Sequence, residues 1–96
     1  MNYDPFSKLE QFVDALSQRG IVIDLQINDS EEKPSRLADA QGKATIGRIT
    51  AWSSDEWEFE TISIESEETT FTKYLNQPED LVLSETMAIW ESHMQT

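Results

Sequence analysis

An α+β domain spanning residues 1–96 is the fold class the sequence predicts: an N-terminal helix, an antiparallel meander sheet of four to five strands, and a C-terminal helix. Three observations predict it. Apolar residues recur at helical spacing near the start, a strictly alternating segment with several short β-rich runs fills the middle, and a second helical stripe closes the chain. Two helices flanking a meander pack best together on one face of the sheet.

The first helix is expected over residues 4–19. Asp4 can receive the exposed amides, and Pro5 at the first helical position gives up only an N–H that would go unbonded anyway. Phe6, Leu9, Phe12, Val13 and Leu16 then form one apolar stripe, and Gly20 supplies a left-handed stop. "IVIDLQIND" follows as a half-buried strand, with Ile21, Ile23, Leu25 and Ile27 on one face and Asp24, Gln26 and Asn28 on the other. "DSEEKP" reads as a polar turn, "SRLADA" as a short second strand and "QG" as a tight turn. A Thr- and Ile-rich strand over about 43–52 leads through a loop, Ser53 to Glu56, into an antiparallel return over 57–64. "ESEE" turns once more, and "TTFTKYL" is a strand of aromatic and β-branched residues. The last segment, "NQPEDLVLSETMAIWESHM", is helical: Asn76 is its expected cap, Pro78, Glu79 and Asp80 occupy its first turn, and Leu83, Met87, Trp90 and Met94 form its stripe.

The central hairpin, "GRITAWSSDEWEFETISIESEE", crowds aromatics and carboxylates into one segment. Pairing Trp52 with Trp57 across a four-residue loop would set Thr50 opposite Phe59 and Arg48 opposite Thr61. One face would then hold Ile46, Arg48, Thr50, Trp52, Trp57, Phe59 and Thr61. The other would hold Gly47, Ile49, Ala51, Glu58, Glu60, Ile62 and Ile64. Neither is purely apolar, and a bulge would change the parity, so the inner face stays open. Unpaired carboxylates are too costly to bury, so Glu58 and Glu60 must reach solvent or a basic partner. The aromatics are either core beneath the helices or anchors of a binding surface with charges at its rim.

The 96 residues include 19 acids against 7 bases, a net charge of −12. Such a surface repels phosphate backbones and anionic membranes, which argues against nucleic-acid or lipid partners, and it steers cationic proteins inward. With no cysteine, disulfides and thiolate chemistry are excluded. "MNYDPFSKLEQF" has no basic region followed by an apolar run, so no secretory signal is expected, and no stretch approaches the ~20 apolar residues of a membrane span. A cytoplasmic location is the expectation.

Catalysis finds little support. The single histidine, His93, suits a favourable interaction with a helix C-terminus better than general-base work. Glycine-rich phosphate loops, nucleophile elbows and H-E-x-x-H patterns are all missing. "IESEE" and "DSEEKP" lack the alternating oxygen ligands and central glycine of a calcium loop. No enzyme, metal site or cofactor is expected.

At "GRITAW", followed by an acidic strand and "ESEE", the sequence resembles the TriTu family of bacterial immunity proteins, and the likeness extends from "RGIVIDL" to the last helix. The loop "SSDEW" lacks the glycine expected there among relatives. The resemblance implies a protein that neutralises a cognate toxin of type VI secretion and Rhs-type effectors. The toxin so implied is an ADP-ribosyltransferase acting on elongation factor Tu, which the immunity protein would bind 1:1 and block by covering its NAD or target site. It carries over no catalytic residue. Candidate contacts are Asp55, Glu56, Glu58 and Glu60, with Trp52 and Trp57 as anchors. The competing readings are a small acidic secretion chaperone or adaptor, which would be a dimer, and a small enzyme or metal sensor.

Overall fold

The computed structural model describes residues 4–29 and 32–95. Residues 30 and 31, at the centre of the turn expected over 29–34, lie outside the described residues, as do 1–3 and 96. In α1, Pro5–Gln18, the Asp4 carboxylate accepts from the Phe6 amide at 3.2 Å and from the Ser7 hydroxyl at 3.0 Å. The helix ends as expected: Gly20 adopts φ 84°, and the amides of Gly20 and Ile21 return to the carbonyls of Ser17 and Leu16, each at 3.1 Å. This paired closure satisfies two carbonyls of the last turn.

Five strands follow: β1 Val22–Asn28, β2 Ser35–Gln41, β3 Thr45–Trp52, β4 Glu56–Ser63 and β5 Thr69–Asn76. They form one antiparallel meander in the order β1-β2-β3-β4-β5. The closing helix, α2, covers Asp80–Met94. It begins later than the sequence suggested. Asn76 still pairs with Glu56 as the last residue of β5, and Glu79 stands at the cap with no side-chain hydrogen bond. Between them, Gln77 takes φ 49°, a left-handed conformation that turns the chain before a helix can start.

Both helices lie on the same face and run side by side in the same direction. Lys8–Asp80, 2.7 Å apart, joins their first turns, and Arg19–Glu91, at 2.6 Å, joins their last. Phe12 meets Trp90 edge to face, with ring centroids 6.0 Å apart. Beneath them the central strands present small residues: Ala38 and Ala40 from β2, Gly47 and Ala51 from β3. A side chain on Gly47 would come within 2.6 Å of the Trp90 ring, so its bare backbone makes room for that indole. Leu9, Leu16, Ile49, Trp57, Phe59, Leu83 and Trp90 fill the remaining interior. The second face of the sheet carries no covering element among the described residues.

The hairpin register differs from the Trp52–Trp57 pairing. Ala51 lies opposite Trp57, Ile49 opposite Phe59 and Gly47 opposite Thr61. The loop is Ser53–Asp55, one residue shorter than expected: the Asp55 amide closes on the Trp52 carbonyl at 2.9 Å, and Asp55 itself takes φ 66°. Removing one residue from the loop reverses the facing of the returning strand. Trp57 and Phe59 therefore join Gly47, Ile49 and Ala51 under the helices, and Arg48, Thr50, Trp52, Glu58 and Glu60 share the open face. Asp55 supplies the left-handed residue that glycine provides in many three-residue loops; Asp is among the few side chains that tolerate it.

Candidate functional site: the acidic open face

Alternation along β4 sorts the hairpin's residues by role. Trp57 is fully buried and Asp55 is 3% exposed. Their side chains meet, with the indole Nε1 donating to Asp55 Oδ1 at 2.8 Å. Asp55 also fastens the loop to its surroundings, because its carbonyl accepts the Gln77 amide at 2.8 Å. On the other side of the hairpin, the Ser53 amide donates to the Pro34 carbonyl at 2.9 Å. These two candidate contacts thus lie inside the protein and shape the surface from below. The other four, Trp52, Glu56, Glu58 and Glu60, are brought together on the open face.

Three of them border a cleft of about 390 Å³, lined by Asn28, Ser35, Leu37, Arg48, Thr50, Trp52, Glu58 and Glu60. Trp52 stands half-buried at one end, with the Lys33 ammonium 5.3 Å from its ring centroid. Lys33 is held there by Glu56, whose carboxylate pairs with it at 2.6 Å, accepts from Ser54 Oγ at 2.6 Å, and also accepts the Tyr74 hydroxyl. Bonding to Lys33 above all, then to Ser54 and Tyr74, lowers the Glu56 carboxyl to about 2. The same contact raises the Tyr74 hydroxyl. Glu56 is therefore a hub of internal bonding, and its charge is balanced within the chain.

A second clamp crosses three strands. Arg48 forks onto Asp39, with Nε to Oδ1 at 2.6 Å and Nη2 to Oδ2 at 3.2 Å, and Gln26 Nε2 from β1 reaches the same carboxylate at 3.1 Å. Hydrogen bonding to Asp39 raises Arg48, with a smaller electrostatic contribution from Glu60 across the strand pair. With Lys33 and Arg48 engaged, neither Glu58 nor Glu60 has an ion-pair partner among the described residues. The exposed Glu58 and half-buried Glu60 are the carboxylates of the cleft that no ion pair takes up. They stand two residues apart, between Arg48 and Thr50 on β3 and Thr72 and Tyr74 on β5.

Sequence reasoning missed Tyr74, Lys33 and the Asp39–Arg48 clamp. Tyr74 becomes legible once the register is known, because Thr72, Tyr74 and Asn76 alternate with Phe71, Lys73 and Leu75. Lys33 lies in the expected polar turn, but its reach to Glu56 across the sheet follows from no local pattern. Among the described residues, no group of three or more acidic or histidine side chains could hold a metal ion. His93 stacks on Phe71 with centroids 5.2 Å apart, which gives it a packing role. No described helix is long and apolar enough to cross a membrane.

No curated protein matches this sequence significantly. A sequence profile described as "Immunity protein TriTu" matches residues 7–93, which takes in all five strands, all but the ends of both helices, and the hairpin whose acidic edge borders the cleft. The chain belongs to the TriTu family of immunity proteins.

Proposed function

We propose that this protein protects its bacterium by binding a cognate ADP-ribosyltransferase toxin of the type VI secretion or Rhs class, whose target is elongation factor Tu. Inhibition is by occlusion: the open face covers the toxin's NAD or target site and performs no chemistry of its own. Membership of an immunity family supports the role. The observation that supports this location is the pair Glu58 and Glu60, without an ion-pair partner among the described residues and set beside the half-buried Trp52 in a cleft.

A site that binds NAD or engages an acidic translation factor is electropositive, so two unbalanced carboxylates complement it and steer the encounter. Trp52 supplies the aromatic anchor around which such an interface concentrates its affinity. A standard interface needs roughly 800 Å² from each partner, a small part of this chain's 5846 Å². The complex is 1:1 and forms in the cytoplasm, where the toxin would find its target.

The direct test is co-expression with the cognate toxin domain. Growth should be restored by the intact chain, and the purified chain should stop toxin-catalysed modification of elongation factor Tu at one equivalent. Undiminished toxicity and modification in the presence of the folded chain would refute the proposal.

A further inference from the structure

The two edges of the sheet are built differently. β5 carries a register shift against β4 at Thr61/Ile62, and the exposed Lys73 stands near its middle. Irregularity and lysine both discourage the pairing of an edge with foreign strands. β1 has neither. It runs one-to-one with β2 from Val22↔Gln41 to Asn28↔Ser35 without interruption, and "VIDLQIN" contains no Lys, Arg, Pro or Gly. Its outward amide and carbonyl groups face no other strand among the described residues. Two of its apolar side chains lie open, Val22 at 73% and Ile27 at 63%.

We propose that β1 is a strand-addition site, and that its occupant is an extended segment of the cognate toxin in which apolar and basic residues alternate. The inference rests on the toxin-neutralising function proposed above. Added beside β1, the segment's apolar side chains would lie next to Ile23, Leu25 and Ile27 on the helix side, and its basic ones next to Asp24 on the open face. Backbone pairing supplies affinity in this mode, and alternate side chains supply specificity. Charge decides against a second copy of this chain as the occupant: two bodies each carrying −12 repel, whereas a basic segment is drawn in. The edge is also continuous with the cleft, because Asn28 of β1 lines it together with Trp52 and Glu58. An added strand would continue the sheet beside the acidic face, so that one toxin surface meets both the edge and the cleft.

Amide hydrogen exchange on the full chain, with and without the toxin domain, tests this once calorimetry has established the complex. Binding should slow exchange within Val22–Asn28 at least tenfold. Ile27→Lys, which places on β1 the guard that Lys73 gives β5, should weaken toxin binding at least tenfold at unchanged melting temperature, because the residue it replaces is exposed. Val22→Lys repeats the test on the other face. A complex that forms with unchanged β1 exchange and normal affinity of both variants would overturn the proposal and leave the open face as the contact. A concentration-dependent dimer in sedimentation, abolished by Ile27→Lys, would overturn the choice of occupant. No binding heat from the wild-type chain would remove the toxin-neutralising reading itself.

Discussion

The indole of Trp57 donates to the carboxylate of Asp55 at 2.8 Å, inside the protein and two residues away along the chain. Asp55 holds φ 66° to do so. One residue therefore closes the β3–β4 loop, satisfies a buried donor and receives the Gln77 amide of the next loop. Asp55→Ala should destabilise the fold by about 2–4 kcal/mol, combining an orphaned buried donor with left-handed strain. Asp55→Asn keeps both an acceptor and tolerance of that conformation, so it should cost less than about 1 kcal/mol. Urea denaturation of the two variants checks the difference.

Glu58 and Glu60 should matter to a partner and hardly at all to the fold. Glu58→Lys with Glu60→Lys should weaken toxin binding by about 10- to 100-fold near physiological salt, with a smaller loss at high ionic strength. Calorimetry across a salt series measures it. Equal affinities for the double variant and the wild type would remove this pair from the interface.

Glu56 should behave in the opposite way, as a stabilising residue whose contribution depends on pH. Its folded-state value, about 2, lies below the ordinary 4.5, so the folded protein resists protonating it. The stabilisation is complete above about pH 4.5 and fades as the pH falls toward 2. Melting temperatures of wild type and Glu56→Gln should therefore differ near neutrality and converge on acidification through that window. A constant gap down to pH 2 would contradict the bonding described for Lys33, Ser54 and Tyr74.

Gly47 and Gly20 predict contrasting costs for the same substitution. Gly47→Ala drives a methyl within 2.5 Å of the Met94 sulfur and 2.6 Å of the Trp90 ring, and should cost about 2–3 kcal/mol. At Gly20 the new methyl meets nothing within 4 Å, so only the strain of φ 84° remains, roughly 1 kcal/mol. For a domain of this size each kcal/mol shifts the melting temperature by about 4–8 °C, which calorimetry resolves.

Most of the architecture was legible because it rests on periodicity. The stripes of Leu9 and Leu16 and of Leu83 and Trp90, the alternation of Ile23 and Leu25, and the Gly20 stop each follow from local pattern. The facing of β4 did not, because it depends on the count of residues in one loop. Matching two tryptophans across the hairpin ignored volume: Trp57 needs the space above Ala51, and Trp90 needs the space above Gly47. The site was legible only in its surplus acidity. Which carboxylates are balanced internally depends on Lys33 and Arg48 reaching across strands, and such long-range pairings leave no trace in a linear pattern.

The strict division between the sheet's two sides has an evolutionary consequence. Along β3 and β4, residues 47, 49, 51, 57, 59 and 61 hold the helices, while their immediate neighbours 48, 50, 52, 58 and 60 look outward. If the open face meets the toxin as proposed, a toxin that drifts would be followed by changes at every second position, with the interior left as it was. Outward positions that make no ion pair among the described residues, Glu58 and Glu60 above all, would then be free to change without disturbing the packing beneath.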